Sequence, residues 1–317
     1  MNSKRKILIL ILSGLWLTCM EYHFSIKNRL QKIYVCWNNQ VEEPQLSAWF
    51  HPKKRPDVIT TTDRLAPVIW EGTYNRILEE YYKKLNITVG LAVGAFGKLR
   101  DQHLIPFIRS ADEHFMVGYR VIFYILIDDF TKLPYVELGP RRTFKVFPLF
   151  DHQTWQGTDL KCMNSLDIYI TDYMQHEVNF LFNMTINQMF EYDFGVETLG
   201  RSVAQLHVWW YFKSTQEFPY ERRASSAAFI PFGKGDFYYH HAILGGTPRE
   251  VLTLLEQCLQ GNTRDTTNKL TSLYESHLNK YFFVNKPTKL LSREYNWDPS
   301  FKIPPQIKHV KIAWQPE

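Results

Sequence analysis

Ile87-Thr-Val-Gly-Leu-Ala-Val93 is followed by the small-residue turn Gly94-Ala95-Phe96-Gly97, and further on Val121-Ile-Phe-Tyr-Ile-Leu-Ile127 ends in Asp128-Asp129. Both runs are almost wholly apolar, which marks strands covered on both faces rather than on one. Between them Leu104, Phe107, Ile108, Ala111 and Phe115 keep helical spacing. Strand, helix and strand in that order predict a βαβ unit, and with it an α/β fold built on a parallel sheet. The glycines do not form G-x-G-x-x-G, so the dinucleotide fingerprint is absent.

Working outward, the pattern predicts a helix over 166–176 and a central strand over 178–184. Thr247-Pro248-Arg249-Glu250 reads as a capping box with proline at the first helical position. Val251, Leu254, Leu255 and Cys258 form the buried face of that helix, and another helix is expected around 270–281. Residues 286–317 are rich in proline and turns and are expected to drape over the domain. The 317 residues are 45% apolar, 22% charged and 15% aromatic, which excludes a disordered chain, a collagen-like repeat and a small disulfide scaffold. The 4 cysteines show no zinc spacing.

The net charge of +5 is largely terminal, because Lys4, Arg5 and Lys6 precede the first acid. What remains is close to neutral and argues against a nucleic-acid partner. The apolar run from Ile7 to Met20 lacks a small-x-small cleavage site, and Tyr22, Phe24 and Ile26 can lengthen it toward the roughly 20 residues of a membrane span. The expected layout is a cytosolic tail at 1–6, a signal-anchor at 7–26, a stem at 27–65 and a lumenal domain at 66–317. Asn86-Ile-Thr88 and Asn183-Met-Thr185 are glycosylation sequons that abut apolar runs.

Ligands of open α/β sheets bind beyond the carboxyl ends of strands, which singles out 94–99, Asp128-Asp129 and 185–187. Asp128-Asp129 also fits a plain strand-ending turn. Gly233-Lys-Gly-Asp-Phe-Tyr-Tyr-His-His241 joins a flexible turn to an acid, two tyrosines and two histidines, a set that is more often structural than metal-binding. Trp209-Trp210-Tyr211 suits sugar stacking or core packing. Glu275 is a carboxylate among aromatic residues, fit for a base, a nucleophile or an exposed helical position. Residues alone lead to a membrane-anchored lumenal α/β protein with a polar ligand site.

Longer motifs carry a resemblance. Asp193-Phe-Gly-Val-Glu-Thr-Leu-Gly200, Tyr220-Glu-Arg-Arg223, Ile230-Pro-Phe-Gly233, Gly235-Asp-Phe-Tyr-Tyr239, Gly245-Gly-Thr-Pro248 and Glu275-Ser-His-Leu-Asn-Lys-Tyr-Phe282 look like the family 6 glycosyltransferases. That family contains the ABO blood-group and α-1,3-galactosyl transferases. The likeness runs from about Ala66 to Trp314. It implies a GT-A fold, a Rossmann-like mixed sheet with flanking helices, behind a single-pass type II anchor in the Golgi membrane. It also implies retaining transfer of Gal or GalNAc from a UDP-sugar to a β-galactoside through an α-1,3 linkage.

By the same resemblance the catalytic carboxylate falls on Glu275. The donor site falls on Gly94, Ala95, Phe96, Gly97, Lys98, Leu99, Thr185, Ile186, Asn187, His240 and Ala242. The acceptor side falls on His207, Trp209, Trp210, Tyr238, Asp298 and Trp314. The family's Asp-x-Asp, which holds Mn²⁺ with the UDP diphosphate, falls on Thr185-Ile186-Asn187, so both carboxylates are lost and Mn²⁺ is expected to bind poorly. A donor-binding Arg falls on Cys162, and an Asp before the catalytic Glu falls on Tyr274. Two functions follow as expectations: a metal-independent transferase, or an inactive glycan-binding, scaffold or chaperone protein.

Overall fold

The structure is a computed structural model that describes residues 41–150, 157–211 and 213–315. The signal-anchor at 7–26 lies outside these residues. Among the described residues, no helix is long and apolar enough to cross a membrane.

The opening stretch forms the expected βαβ unit. Strand β2 (Thr88–Ala95) runs through helix α3 (Gly97–His114) into β3 (Arg120–Ile127), and the two strands pair in parallel from Thr88↔Arg120 to Ala95↔Ile127. Both are buried along nearly their whole length, as covered parallel strands must be. Strand β4 (Arg142–Pro148) extends this half in parallel. On the other side β2 pairs in parallel with β5 (Phe180–Met184), which meets β8 (Tyr239–Gly246) in antiparallel. Strand β7 (Ser202–Leu206), β9 (Lys289–Leu291) and β1 (Val68–Ile69) complete the order β1-β9-β7-β8-β5-β2-β3-β4. The α/β expectation therefore holds as one large mixed sheet, and the parallel pattern is broken only around β8.

Helices α4 (Thr158–Asp172), α5 (Pro248–Thr267) and α6 (Tyr274–Val284) pack in series, with α5 and α6 over β8 and α4 against β3. The core they close holds Leu166, Ile170, Leu255, Cys258, Leu278 and Phe282. Proline stands at the first turn of α5, but the capping box does not form. The Thr247 side chain makes no capping bond, and Glu250 instead pairs with Arg201 across 3.1 Å.

The carboxyl-terminal stretch does more than drape. Leu290 and Leu291 are fully buried and place β9 inside the sheet, between β1 and β7. Strand β10 (Ile312–Trp314) pairs in antiparallel with β6 (Gln188–Phe190) in a second, small sheet. The compact unit begins at Glu42, so residues 42–65 of the expected stem lie within it. Trp49 is buried there at the end of the short helix α1 (Leu46–Trp49), and Arg55 bonds the carbonyls of Glu71 and Gln306 while facing Glu294 across 3.7 Å. Of the sequons, Asn86 is exposed at the end of α2 (Ile77–Leu85), whereas Asn183 is buried in β5.

Candidate functional site

A cleft of about 260 Å³ opens where β2 and β5 end. Its floor joins the predicted donor stretches, since Gly94, Phe96, Leu99, Thr185, Ile186, Asn187 and His240 all line it. Gly94 has to be small, because a Cβ there would lie 2.5 Å from Cys162 Sγ. Ala95 and Ala242 are buried beside the cleft rather than in its wall, and Lys98 is exposed on the first turn of α3. The Gly97 N–H donates to Asp128, which also pairs with Arg100, so Asp128 serves as a structural strand end.

Each element fixes its neighbour. The Thr185 N–H donates to the Ala242 carbonyl across 3.0 Å, which ties the turn after β5 to β8. Gln315, just past β10, donates from Nε2 to the Ile186 and Gln188 carbonyls and holds the same turn from the other side. Asn279 and Glu275 stand one turn apart on α6. The Asn279 side chain accepts from the Tyr239 N–H and donates to the Tyr239 carbonyl, each at 2.9 Å. That double clasp brings Glu275 against β8.

Strand β8 is irregular at this point. Ala204 of β7 faces Leu244, yet the next residue, Gln205, faces His240, so His241, Ala242 and Ile243 bulge away from β7. Successive side chains of a regular strand point to opposite faces, and a bulge re-aims them. Here His240 and His241 stack instead, with ring centroids 4.8 Å apart and planes 13° from parallel. The His240 Nδ1 closes the bulge by accepting the Ala242 N–H at 2.9 Å.

Glu275 is the centre of the polar group, with its side chain 16% exposed. Its Oε2 lies 2.6 Å from His241 Nδ1 and its Oε1 lies 3.9 Å from His207 Nε2. His207 Nδ1 accepts the Trp209 N–H, so His207 and His240 both accept at Nδ1 and carry their proton on Nε2. Burial pushes the His207 pKa down to about 4, against the pull of Glu275, and pushes His240 well below the ordinary imidazole value. Burial also works against charge on His241, but the Glu275 carboxylate outweighs it, and the net shift is upward. Burial raises the Cys162 thiol to about 12, which leaves it neutral.

An aromatic wall rises beside the carboxylate. The His207 ring lies 5.6 Å from Tyr238, 5.9 Å from Trp209 and 6.4 Å from Trp210. Trp314 lies 5.6 Å from His240 and 6.3 Å from Trp209, whose outer side meets Phe301. The predicted acceptor residues His207, Trp209, Trp210, Tyr238 and Trp314 thus form one connected group. Asp298 is buried at the start of the turn that carries Phe301, and its carboxylate accepts the Ser300 N–H.

The donor set does not fit Mn²⁺. Thr185 and Asn187 offer neutral oxygens, and the Thr185 hydroxyl accepts from Gln188 Nε2 at 3.4 Å. His240, His241 and Glu275 bring three ligand-type atoms within 4.8 Å of one another. That group does not suit a cation either, because His240 Nε2 keeps its proton while Nδ1 accepts from the backbone. It is a hydrogen-bonded carboxylate–imidazole pair with a second ring stacked on it. Sequence reasoning passed over Asp159 and read the His240-His241 pair as more often structural, yet Asp159 and His241 both line the cleft. The adjacent histidines were a visible signal, but strand alternation would send one of them to the far face.

Comparison with known proteins gives one consistent family. The profile of Glycosyltransferase family 6 matches residues 15–317. The chain is 60% identical to mouse N-acetyllactosaminide alpha-1,3-galactosyltransferase-like 1, over the full length of both. It is 54% identical to Glycosyltransferase 6 domain-containing protein 1 of Macaca fascicularis, over 99% of this chain and 98% of that one. It is 38% identical to human Globoside alpha-1,3-N-acetylgalactosaminyltransferase 1, over 93% of this chain and 83% of that one. Profile and relatives alike cover nearly the whole sequence, and the chain belongs to glycosyltransferase family 6.

Proposed function

We propose that this chain is a metal-independent retaining glycosyltransferase that moves Gal or GalNAc from a UDP-sugar to a β-galactoside, forming an α-1,3 linkage. The carrying observation is the Glu275 carboxylate, fixed at 2.6 Å by His241, which lines the cleft, and facing His207 of the aromatic wall. In the reaction the anomeric C–O bond of the donor breaks, and its electron pair passes to the leaving phosphate oxygen. Glu275, ionised and held close, stabilises the electron-deficient carbon from the opposite face or bonds to it. The acceptor hydroxyl then forms the new C–O bond and gives up its proton, which the leaving diphosphate takes. Trp209, Trp210, Tyr238 and Trp314 offer flat faces for the acceptor sugar. His240 borders the donor sugar, with its Nε2–H available to one of the sugar oxygens, and Ala242 packs behind it. The domain works in the Golgi lumen behind its amino-terminal anchor.

A second reading, a glycan-binding protein without catalysis, is favoured by the neutral turn at 185–187. Binding and hydrolysis of UDP-Gal and UDP-GalNAc, measured with and without Mn²⁺, separate the two. Turnover that Glu275→Gln reduces by about 100-fold or more supports the transferase. No binding of any UDP-sugar overturns it.

A further inference from the structure

Among the described residues that line the cleft there is no lysine or arginine. The titratable side chains of its wall are Asp159, Cys162, His240 and His241. Cys162 stays a neutral thiol, and His240 is locked as a neutral ring by the Ala242 N–H. A diphosphate entering this cleft would meet Asp159 and, behind His241, Glu275, with no fixed positive charge against them.

We propose that His241 is the anion-receiving group of the cleft, its Nδ1 held by Glu275 and its Nε2 left to take the diphosphate of a nucleotide-sugar where a relative with paired acids would use a metal ion. The proposal rests on the transferase reading for its ligand and on the geometry for its position. The bulge in β8 carries His241 out of regular alternation and beside His240. The bond from Thr185 to Ala242 brings the turn at 185–187 up against that bulge. The imidazole therefore stands next to the turn that has lost its carboxylates.

Four ionisable groups face His241. They are Glu275 on α6, Asp159 on α4, His240 beside it on β8, and His207 just past β7. With His241 neutral, the two carboxylates leave the region anionic and hostile to a diphosphate. One proton on His241 offsets Glu275 and replaces the Nε2 lone pair with an N–H that is a charge-assisted donor. The upward shift caused by Glu275 favours that protonated form.

The test is UDP binding by the full-length chain, measured by calorimetry in EDTA from pH 5.5 to 8.5. A charge-assisted bond of this kind is worth about 10- to 100-fold in affinity. The expected result is at least tenfold weaker binding at the alkaline end, with His241→Ala flat across the range and as weak as wild type at alkaline pH. His241→Arg, which keeps a cation at every pH, should bind UDP strongly throughout. Binding by wild type that ignores pH, equal binding by His241→Ala, or no binding of UDP at all overturns the proposal. UDP-Gal and UDP-GalNAc turnover is scored in the same samples. Binding that tracks His241 without turnover removes the transferase reading and leaves the anion site, whereas turnover indifferent to His241 does the reverse.

Discussion

Trp209 and Trp314 stand 6.3 Å apart, with planes inclined by 38°, although one follows β7 and the other ends β10. The chain brings them together because Trp314 pairs with Gln188 of β6, beside the turn that closes the cleft. Trp209 remains 50% exposed. Trp209→Ala should therefore leave the melting temperature nearly unchanged. It should weaken binding of the proposed β-galactoside acceptor, probed with lactose, by about 2- to 10-fold, the share of an aromatic pair beyond its area. Calorimetric titration checks this, and unchanged affinity would separate the aromatic wall from the acceptor.

The turn at 185–187, where the family resemblance puts the metal-holding acids, carries the neutral side chains Thr185 and Asn187. Thr185→Asp with Asn187→Asp supplies two hard anionic oxygens and should produce a Mn²⁺ isotherm that the wild-type chain lacks. If calorimetry gives no heat from the double variant, the geometry of the turn has drifted along with its chemistry.

Gly245 of β8 pairs with Phe182 of β5. A Cβ there would come within 2.3 Å of the Phe182 ring, which is boxed in by Phe194 at 5.1 Å and Phe115 at 6.0 Å. Gly245→Ala should cost about 1–3 kcal/mol through overpacking, read as a lower midpoint in urea unfolding. An unchanged midpoint would mean the ring has room to move.

Lys289 is almost wholly buried in β9, where it donates to the Leu199 carbonyl and lies over the Trp49 ring. Burial lowers its pKa from the ordinary 10.5 to about 8, with Glu43 and Glu197 pulling the other way. A group depressed in the folded state adds stability above its unfolded pKa and loses it as pH falls through the folded one. From pH 7 to 10.5 the stability of wild type relative to Lys289→Met should therefore rise by roughly 2–3 kcal/mol. Parallel urea titrations at the two pH values measure it, and a constant difference would contradict the buried charge.

The parts legible in the sequence were those whose pattern is local. Ile87–Val93 and Val121–Ile127 announced β2 and β3 because strands buried on both faces have no polar alternation. The carboxylate at Glu275 and the tryptophans were visible as chemistry, and long motifs tied them to a family. The position of β9 inside the sheet was hidden, because its short apolar core is embedded in a turn-rich stretch and gains meaning only from pairing with Val68 and Ala204. The placement of His241 beside Glu275 was hidden for a related reason. Its neighbourhood depends on a register shift between β7 and β8, a non-local event that no periodicity in either strand records.

The hydrogen bond that closes the bulge also couples shape to acidity. Once protonated, His240 has no lone pair on Nδ1 for the Ala242 N–H, so the ring cannot take up a proton and keep that backbone turn. Proton uptake at His240 and the contour of the cleft wall are thus a single variable, and a change in one is a change in the other.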